Sequence, residues 1–202
     1  MPTRQGKIKR ETGFVMTDEC NLINLAEAFP QLIIDMKYAT ADNICGQPVY
    51  CEDRCLLHPD AATALEKSIA IAALAGFSLL IYDAYRPQQA QHSLWQACPD
   101  PRWVAEVSLG SNHSRGVAVD LTLTDAEGRV LDMGAGFDDM HERSHPYYPG
   151  LSQEAHRNRL LLNAIMFGGG FRGIATEWWH FELPDAQTYP LLRDRFACFS
   201  TF

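Results

Sequence analysis

Ser111-Asn112-His113-Ser114-Arg115-Gly116-Val117-Ala118-Val119-Asp120-Leu121-Thr122-Leu123 is the stretch from which the rest of the chain can be read. From Ala118 onward the residues alternate with period two. Ala118, Asp120 and Thr122 therefore share one face of a strand, and Val119, Leu121 and Leu123 share the other. The second face is core, and the first is expected to look onto a pocket. His113 stands seven positions before Asp120, too far for one strand face unless it lies in the loop ahead of the strand. Gly116 supplies the backbone freedom for that loop to turn and carry His113 back towards Asp120.

Upstream, Ser78-Leu79-Leu80-Ile81-Tyr82 reads as a short apolar strand, the kind buried on both faces at the centre of a sheet. It empties into Ala84-Tyr85-Arg86-Pro87, with Pro87 suited to the first position of a helix running to about Ala97. Arg86 thus sits where a core strand ends and a helix begins, a common place for a functional group, and reads equally as that or as surface solvation or an ion pair. An earlier helix opens at Pro59-Asp60 with Asp60 as its cap, carries Leu65, Ile69, Ala72 and Ala73 on one stripe, and stops at Gly76. Leu32 to Tyr38 alternates like a strand, and Ala39 to Pro48 reads as loop. Tyr38 at that junction lines a pocket or is a half-buried aromatic.

Downstream, Asp125 to Gly128 is a hairpin turn returned by Arg129 to Met133. Gly134 to Gly150 is a loop long enough to be a binding loop or lid. Ser152 caps the next helix, with Leu161, Ala164 and Ile165 on its buried face and Gly168-Gly169-Gly170 ending it. Glu177 to Leu183 is the last strand, and from Pro184 a short helix and coil are expected. The pattern is α+β: a single domain with a small central antiparallel or mixed sheet flanked by helices, and a site in a cleft on the sheet. Residues 1–16 are expected to be a disordered extension and 17–202 the domain.

Composition bounds the function. A formal charge of −8 lacks the basic footprint of a nucleic-acid partner. No apolar run approaches the roughly 20 residues of a membrane span. Arg4, Lys7, Lys9 and Arg10 are followed only by Gly13-Phe14-Val15-Met16 before Asp18 and Glu19, too short for a secretory signal, so a cytoplasmic protein is expected. In that compartment Cys20, Cys45, Cys51, Cys55, Cys98 and Cys198 are expected to be free thiols. Cys45, Cys51 and Cys55 lack the spacing of a zinc knuckle.

Glu177-Trp178-Trp179-His180 adds a second imidazole and a further carboxylate to His113 and Asp120. Three N/O ligands leave a fourth position open, the ligand count of a catalytic rather than a structural zinc. By spacing alone the histidines are equally readable as ordinary buried residues. Glu177 stands three residues before His180, and on a regular strand those side chains point oppositely. If both serve one site, Glu177 lies before the strand proper or at a bulge.

Ser111 to Asp120 resembles the S-x-H-x-x-G-x-A-x-D signature of the zinc D-alanyl-D-alanine dipeptidases, the VanX-like enzymes related to zinc D,D-carboxypeptidases of the cell wall. Glu177-Trp178-Trp179-His180-Phe181 is similar to that family's E-W-W-H motif, and Tyr82-Asp83-Ala84-Tyr85-Arg86-Pro87 to its D-x-Y-R-P turn. Lys37 to Asn43 and Met133 to Ser144 match in order as well, so the resemblance runs from about residue 30 to 185. It implies one Zn2+ per chain on His113, Asp120 and His180, Glu177 as general base and then acid, and Arg86 as transition-state stabiliser. It places Tyr38, Ser111 and Asp138 around a small dipeptide substrate. The implied reaction is hydrolysis of D-Ala-D-Ala to two D-alanines. The competing readings are a D,D-carboxypeptidase trimming peptidoglycan stem peptides and a binding module whose metal is structural.

Overall fold

The two apolar runs that can bury both faces lie side by side at the centre of the structure, a computed structural model whose described residues are 22–192. In chain order the elements are β1 (Ile23–Asn24), α1 (Leu25–Ala28), β2 (Ile33–Ile34), β3 (Leu56–Leu57), α2 (Pro59–Leu74), β4 (Ser78–Asp83), α3 (Gln88–Ala97), β5 (Ala118–Thr124), α4 (Gln153–Gly169), β6 (Arg172–Gly173) and β7 (His180–Glu182). The main sheet has the order β2-β4-β5-β7-β6, parallel only between β2 and β4, and β1 pairs with β3 in a separate antiparallel ribbon. The fold class is therefore α+β with a mixed sheet.

Helices α2 and α4 pack on each other and against β4 and β5. Their approach is closest at Gly169, where an added Cβ would run into Ser68 Oγ and the Ala64 carbonyl. All of β5 is buried, Ala118, Asp120 and Thr122 as fully as Val119, Leu121 and Leu123. The face expected to be open is thus open only around Asp120. Phe137 packs on the rings of Tyr38, Tyr82 and Trp179 at centroid distances of 5.8, 4.9 and 5.4 Å. Such pairs contribute about 0.5–1.5 kcal/mol each beyond burial, enough to pin the loop that carries Phe137.

Several boundaries shift from expectation, each for a local reason. His58 rather than Asp60 caps α2: its ring accepts from the Asp60 N–H while Pro59 takes the first helical position. Pro87 is likewise the cap residue of α3, not its first turn. The strand expected over Leu32 to Tyr38 shrinks to β2, because the chain closes a 3-10 turn at Lys37–Ala39 that contains Tyr38. The buried stripe of α4 is Ala155, Arg159, Leu162, Ile165, Met166 and Gly169, which leaves Leu161 half-buried and Ala164 exposed. The returning hairpin strand is reduced to one bridge, Thr124 to Val130.

Ser152 does cap α4, and Gly76 and Gly170 adopt the left-handed conformation that ends α2 and α4. The short helix past Pro184 is a 3-10 turn, Ala186–Thr188. Cys45, Cys55 and Cys98 are free thiols. Cys20, Cys198 and the expected extension over 1–16 lie outside the described residues. Among the described residues no helix is long and apolar enough to cross a membrane.

Candidate metal centre

The register of β5 against β7 sets Asp120 directly across from His180, and side chains facing each other in such a pair have Cβ atoms about 4.5–5.5 Å apart. His113 arrives by a different route. A 3-10 turn, His113–Arg115, ends at Gly116 with φ 71°, so the chain doubles back immediately before β5. Gly116 is also wedged: a Cβ there would lie 3.1 Å from Leu22 Cδ2 and 3.4 Å from the His58 nitrogen. The turn is tied to the exit of β4, since Arg86 N–H donates to the His113 carbonyl at 3.1 Å.

Three ligand atoms converge as a result. His113 Nε2 lies 3.1 Å from His180 Nδ1, His180 Nδ1 lies 3.1 Å from Asp120 Oδ1, and His113 Nε2 lies 3.3 Å from the same oxygen. A tetrahedral ion with bonds of about 2.0–2.1 Å needs ligand separations of about 3.3–3.4 Å, so the triangle fits. Among the described residues these three form the group able to hold a metal ion.

The remaining ring nitrogens fix which atoms face inward. His113 Nδ1 is 2.7 Å from the Ala84 carbonyl, an acceptor only, so that nitrogen carries the proton and Nε2 presents its lone pair. His180 Nε2 donates to Glu182 Oε2 at 3.1 Å, leaving Nδ1 to face the triangle. Two lone pairs and a carboxylate pointing at one another require a positive charge among them. Without a metal ion a proton serves: burial opposes it, but Asp120 and Glu182 outweigh burial and push His180 up to about 10. Asp120 is likewise held well below the usual carboxylate range, since both imidazoles overcome its burial. Metal and proton compete for this site.

Glu182, which the sequence reading passed over, stands behind His180. Its Oε2 also accepts from Asn112 Nδ2 at 2.7 Å, and its Oε1 from Arg172 Nη2 at 2.8 Å. Burial raises its pKa, but His180, Asn112 and Arg172 together hold it down at about 2. The signal was available, because His180 and Glu182 are two apart on β7 and so share a face. Asn112, beside His113 in the motif, is spent on this carboxylate.

Arg86 is buried and clamped. Its Nε donates to Asp83 Oδ2 at 2.9 Å, Nη1 to Gln91 Oε1 at 2.9 Å, and Nη2 reaches Asp120 Oδ2 at 3.3 Å. Tyr50 OH donates to the other Asp83 oxygen at 2.8 Å. Burial disfavours the guanidinium charge, yet Asp83 and its neighbours more than offset this and keep it cationic. Gln91 in turn donates to the Ala105 carbonyl at 2.8 Å, which joins Arg86 to the cavity wall. Neither Gln91 nor that wall, Trp103 to Glu106, was legible in the sequence.

One cavity of about 530 Å³ collects Tyr38, Arg86, Ser111, His113, Asp120, Asp138, Glu177 and His180. Every side chain singled out from the sequence therefore meets in one place. Glu177 lies ahead of β7, as sharing a site with His180 demanded. It is buried, and burial pushes its carboxyl up to about 8. Asp138 adopts φ 58° and accepts from Tyr38 OH at 2.9 Å and Ile44 N–H at 3.0 Å. Burial raises it to about 6, outweighing those donors and Arg86. Ser111 Oγ accepts from His113 N–H at 3.2 Å, so it also shapes the turn.

The chain matches the Peptidase M15 family, D-ala-D-ala dipeptidase, over residues 18–201. It is 66% identical over 184 residues to D-alanyl-D-alanine dipeptidase of Escherichia coli (strain K12), covering 91% of this chain and 95% of that one. It is 38% identical over 177 residues to D-alanyl-D-alanine dipeptidase of Enterococcus faecium, covering 77% and 87%. A solved structure, VanYB in complex with D-alanine-D-alanine, is 15% identical and covers 66% of this chain and 75% of that one with a TM-score of 0.42. With a His/Asp/His group able to hold a metal ion and a matching sequence along most of its length, this chain belongs to the D-Ala-D-Ala dipeptidase family of metallopeptidases.

Proposed function

We propose that this protein is a zinc-dependent dipeptidase that hydrolyses D-alanyl-D-alanine to two D-alanines. The observation that carries the reading is the triangle of His113 Nε2, His180 Nδ1 and Asp120 Oδ1, with both imidazoles oriented by acceptors behind them. Neutral imidazole and carboxylate ligands without thiolate suit zinc in an open, catalytic site. A zinc ion held there supplies Lewis acidity, polarising the scissile carbonyl and making water acidic near neutral pH.

The chain's own groups do the rest. Glu177 takes a proton from the attacking water and passes it to the departing amide nitrogen, a role worth about 10²–10⁴-fold. Its burial and raised pKa suit a group that must hold and release a proton, and a dication nearby would draw that pKa back down. Oxygen adds to the carbonyl carbon, the C–N bond breaks, and the proton completes the new amine. Arg86 faces the charge that gathers on the carbonyl oxygen, held in place beforehand by Asp83 and Gln91. Asp138 takes the dipeptide's ammonium beside Tyr38, and the Ser111 hydroxyl donates to the substrate carboxylate.

The test pairs metal analysis with an amine-release assay on D-Ala-D-Ala, L-Ala-L-Ala and a stem peptide ending in D-Ala-D-Ala. One zinc per chain and release from the free D,D-dipeptide are expected. Glu177→Gln should keep the zinc and lose about 10²–10⁴ in rate. Cleavage of the stem peptide alone would replace this reading with a carboxypeptidase, and zinc without turnover on any of the three would leave only a binding module.

A further inference from the structure

Arg159 is a cation buried to 1% exposure, and among the described residues none of its hydrogen bonds goes to a carboxylate. Its Nε donates to the Met133 carbonyl at 2.7 Å, Nη1 to His145 at 2.7 Å, and Nη2 to Arg143 at 2.9 Å. These carbonyls belong to the two ends of one loop, and Asp138 lies between them. A planar fork of donors can close such a loop in a way that a lysine ammonium cannot.

The same guanidinium also reaches the segment ahead of β7. It lies 5.8 Å from the Trp178 ring, next to Glu177, and Trp178 N–H donates to the Ser144 carbonyl at 2.9 Å. Arg143 Nη2 donates to the Gly134 carbonyl at 3.0 Å, a second tie across the loop. Burial, with Arg143 adding to it, lowers the Arg159 guanidinium to about 10, so the charge is held against its own desolvation. A cation kept in so unfavourable a place for backbone carbonyls alone is there for geometry.

We propose that Arg159 is a positioning residue for substrate recognition: by clasping Met133 to Arg143 and His145, it fixes the loop that holds Asp138 at the cavity wall. The proposal rests on the reading of Asp138 as the ammonium site.

The experiment compares the full chain with Arg159→Lys and Asp138→Asn, each loaded with zinc. It reads hydrogen exchange of the 134–144 amides, zinc affinity, and kinetics on D-Ala-D-Ala and its N-acetyl derivative. For Arg159→Lys, the loop amides should exchange about tenfold faster or more while those of β5 do not change. KM for the free dipeptide should rise about tenfold, with kcat and zinc affinity within about threefold, and the preference over the N-acetyl form should shrink. Unchanged loop exchange overturns the proposal. So does faster exchange with the preference intact, provided Asp138→Asn has lost it. If Asp138→Asn itself keeps the preference, the ammonium reading has failed, and exchange alone decides whether Arg159 fixes the loop. Should Arg159→Lys not fold, Arg159→Gln is read in the same way.

Discussion

His113, Asp120 and His180 stand on or against the sheet, whereas Asp138 stands on an irregular loop with a positive φ. The first group is placed by backbone that repeats: strand register, one glycine turn, and a carbonyl at the end of β4. The second is placed by contacts from elsewhere in the chain: Tyr38 a hundred residues away in sequence, Ile44 ninety-four away, the rings around Phe137 and the Arg159 clasp. A site on regular elements is precise because many bonds share the constraint, while a loop site depends on a few. On the proposed function, chemistry is built on the sheet side of the cleft and recognition on the loop side.

Breaking the sheet side should cost rate. Arg86→Lys removes the fork that engages Asp83 and Gln91, and is expected to lower kcat by about 10²–10³ with zinc content unchanged. A steady-state assay beside metal analysis checks both halves. If kcat holds while KM rises, Arg86 belongs with recognition and the comparison fails.

Next in size is the support behind a ligand. Glu182→Gln keeps the shape but loses the charge facing His180 Nε2, and zinc should bind about 10–100-fold more weakly in competition with a chelator. The affinity is the readout, since at saturating zinc the turnover should be little altered. Unchanged affinity would mean that the turn and register alone set the ligand geometry.

The loop side should respond in KM. Asp138→Asn removes a charge-assisted bond, worth about 1.5–3 kcal/mol, so KM for the free dipeptide should rise roughly tenfold or more with kcat little changed. A milder perturbation is pH. Tyr38, the Ile44 N–H, Arg86 and Asp120 all act on Asp138, and burial leaves it at about 6. Only its ionised form attracts an ammonium, so KM should climb as pH falls through about 6 in the wild type and stay flat in Asp138→Asn. A bound ammonium lowers that pKa, so the midpoint should move down in the complex. A flat wild-type profile would detach Asp138 from recognition.

Much of this was legible in the residues. The strand over Ala118 to Leu123, the turn at Gly116, and the impossibility of Glu177 and His180 sharing a regular strand face follow from local geometry and are met in the structure, but the open face expected from period two is buried except around Asp120. Capping and edge details were less so. Whether His58 or Asp60 caps α2 depends on which group is free at the turn, and β2 is cut short because a 3-10 turn competes for its residues. On α4, Ile165 is buried as expected, but Leu162 rather than Leu161 faces the core, and a long polar side chain, Arg159, occupies a core position that no apolar pattern marks.

What the sequence by itself determined is the set of candidate ligands and proton carriers and the face of β5 that Asp120 occupies, because side-chain period is a property of the local backbone. What only the tertiary structure decided is which partners hold them: Glu182 behind His180, Gln91 and Asp83 around Arg86, Arg159 across the Asp138 loop. Those bonds join residues from different elements. Their existence depends on how the elements pack, and no periodicity within one segment encodes it.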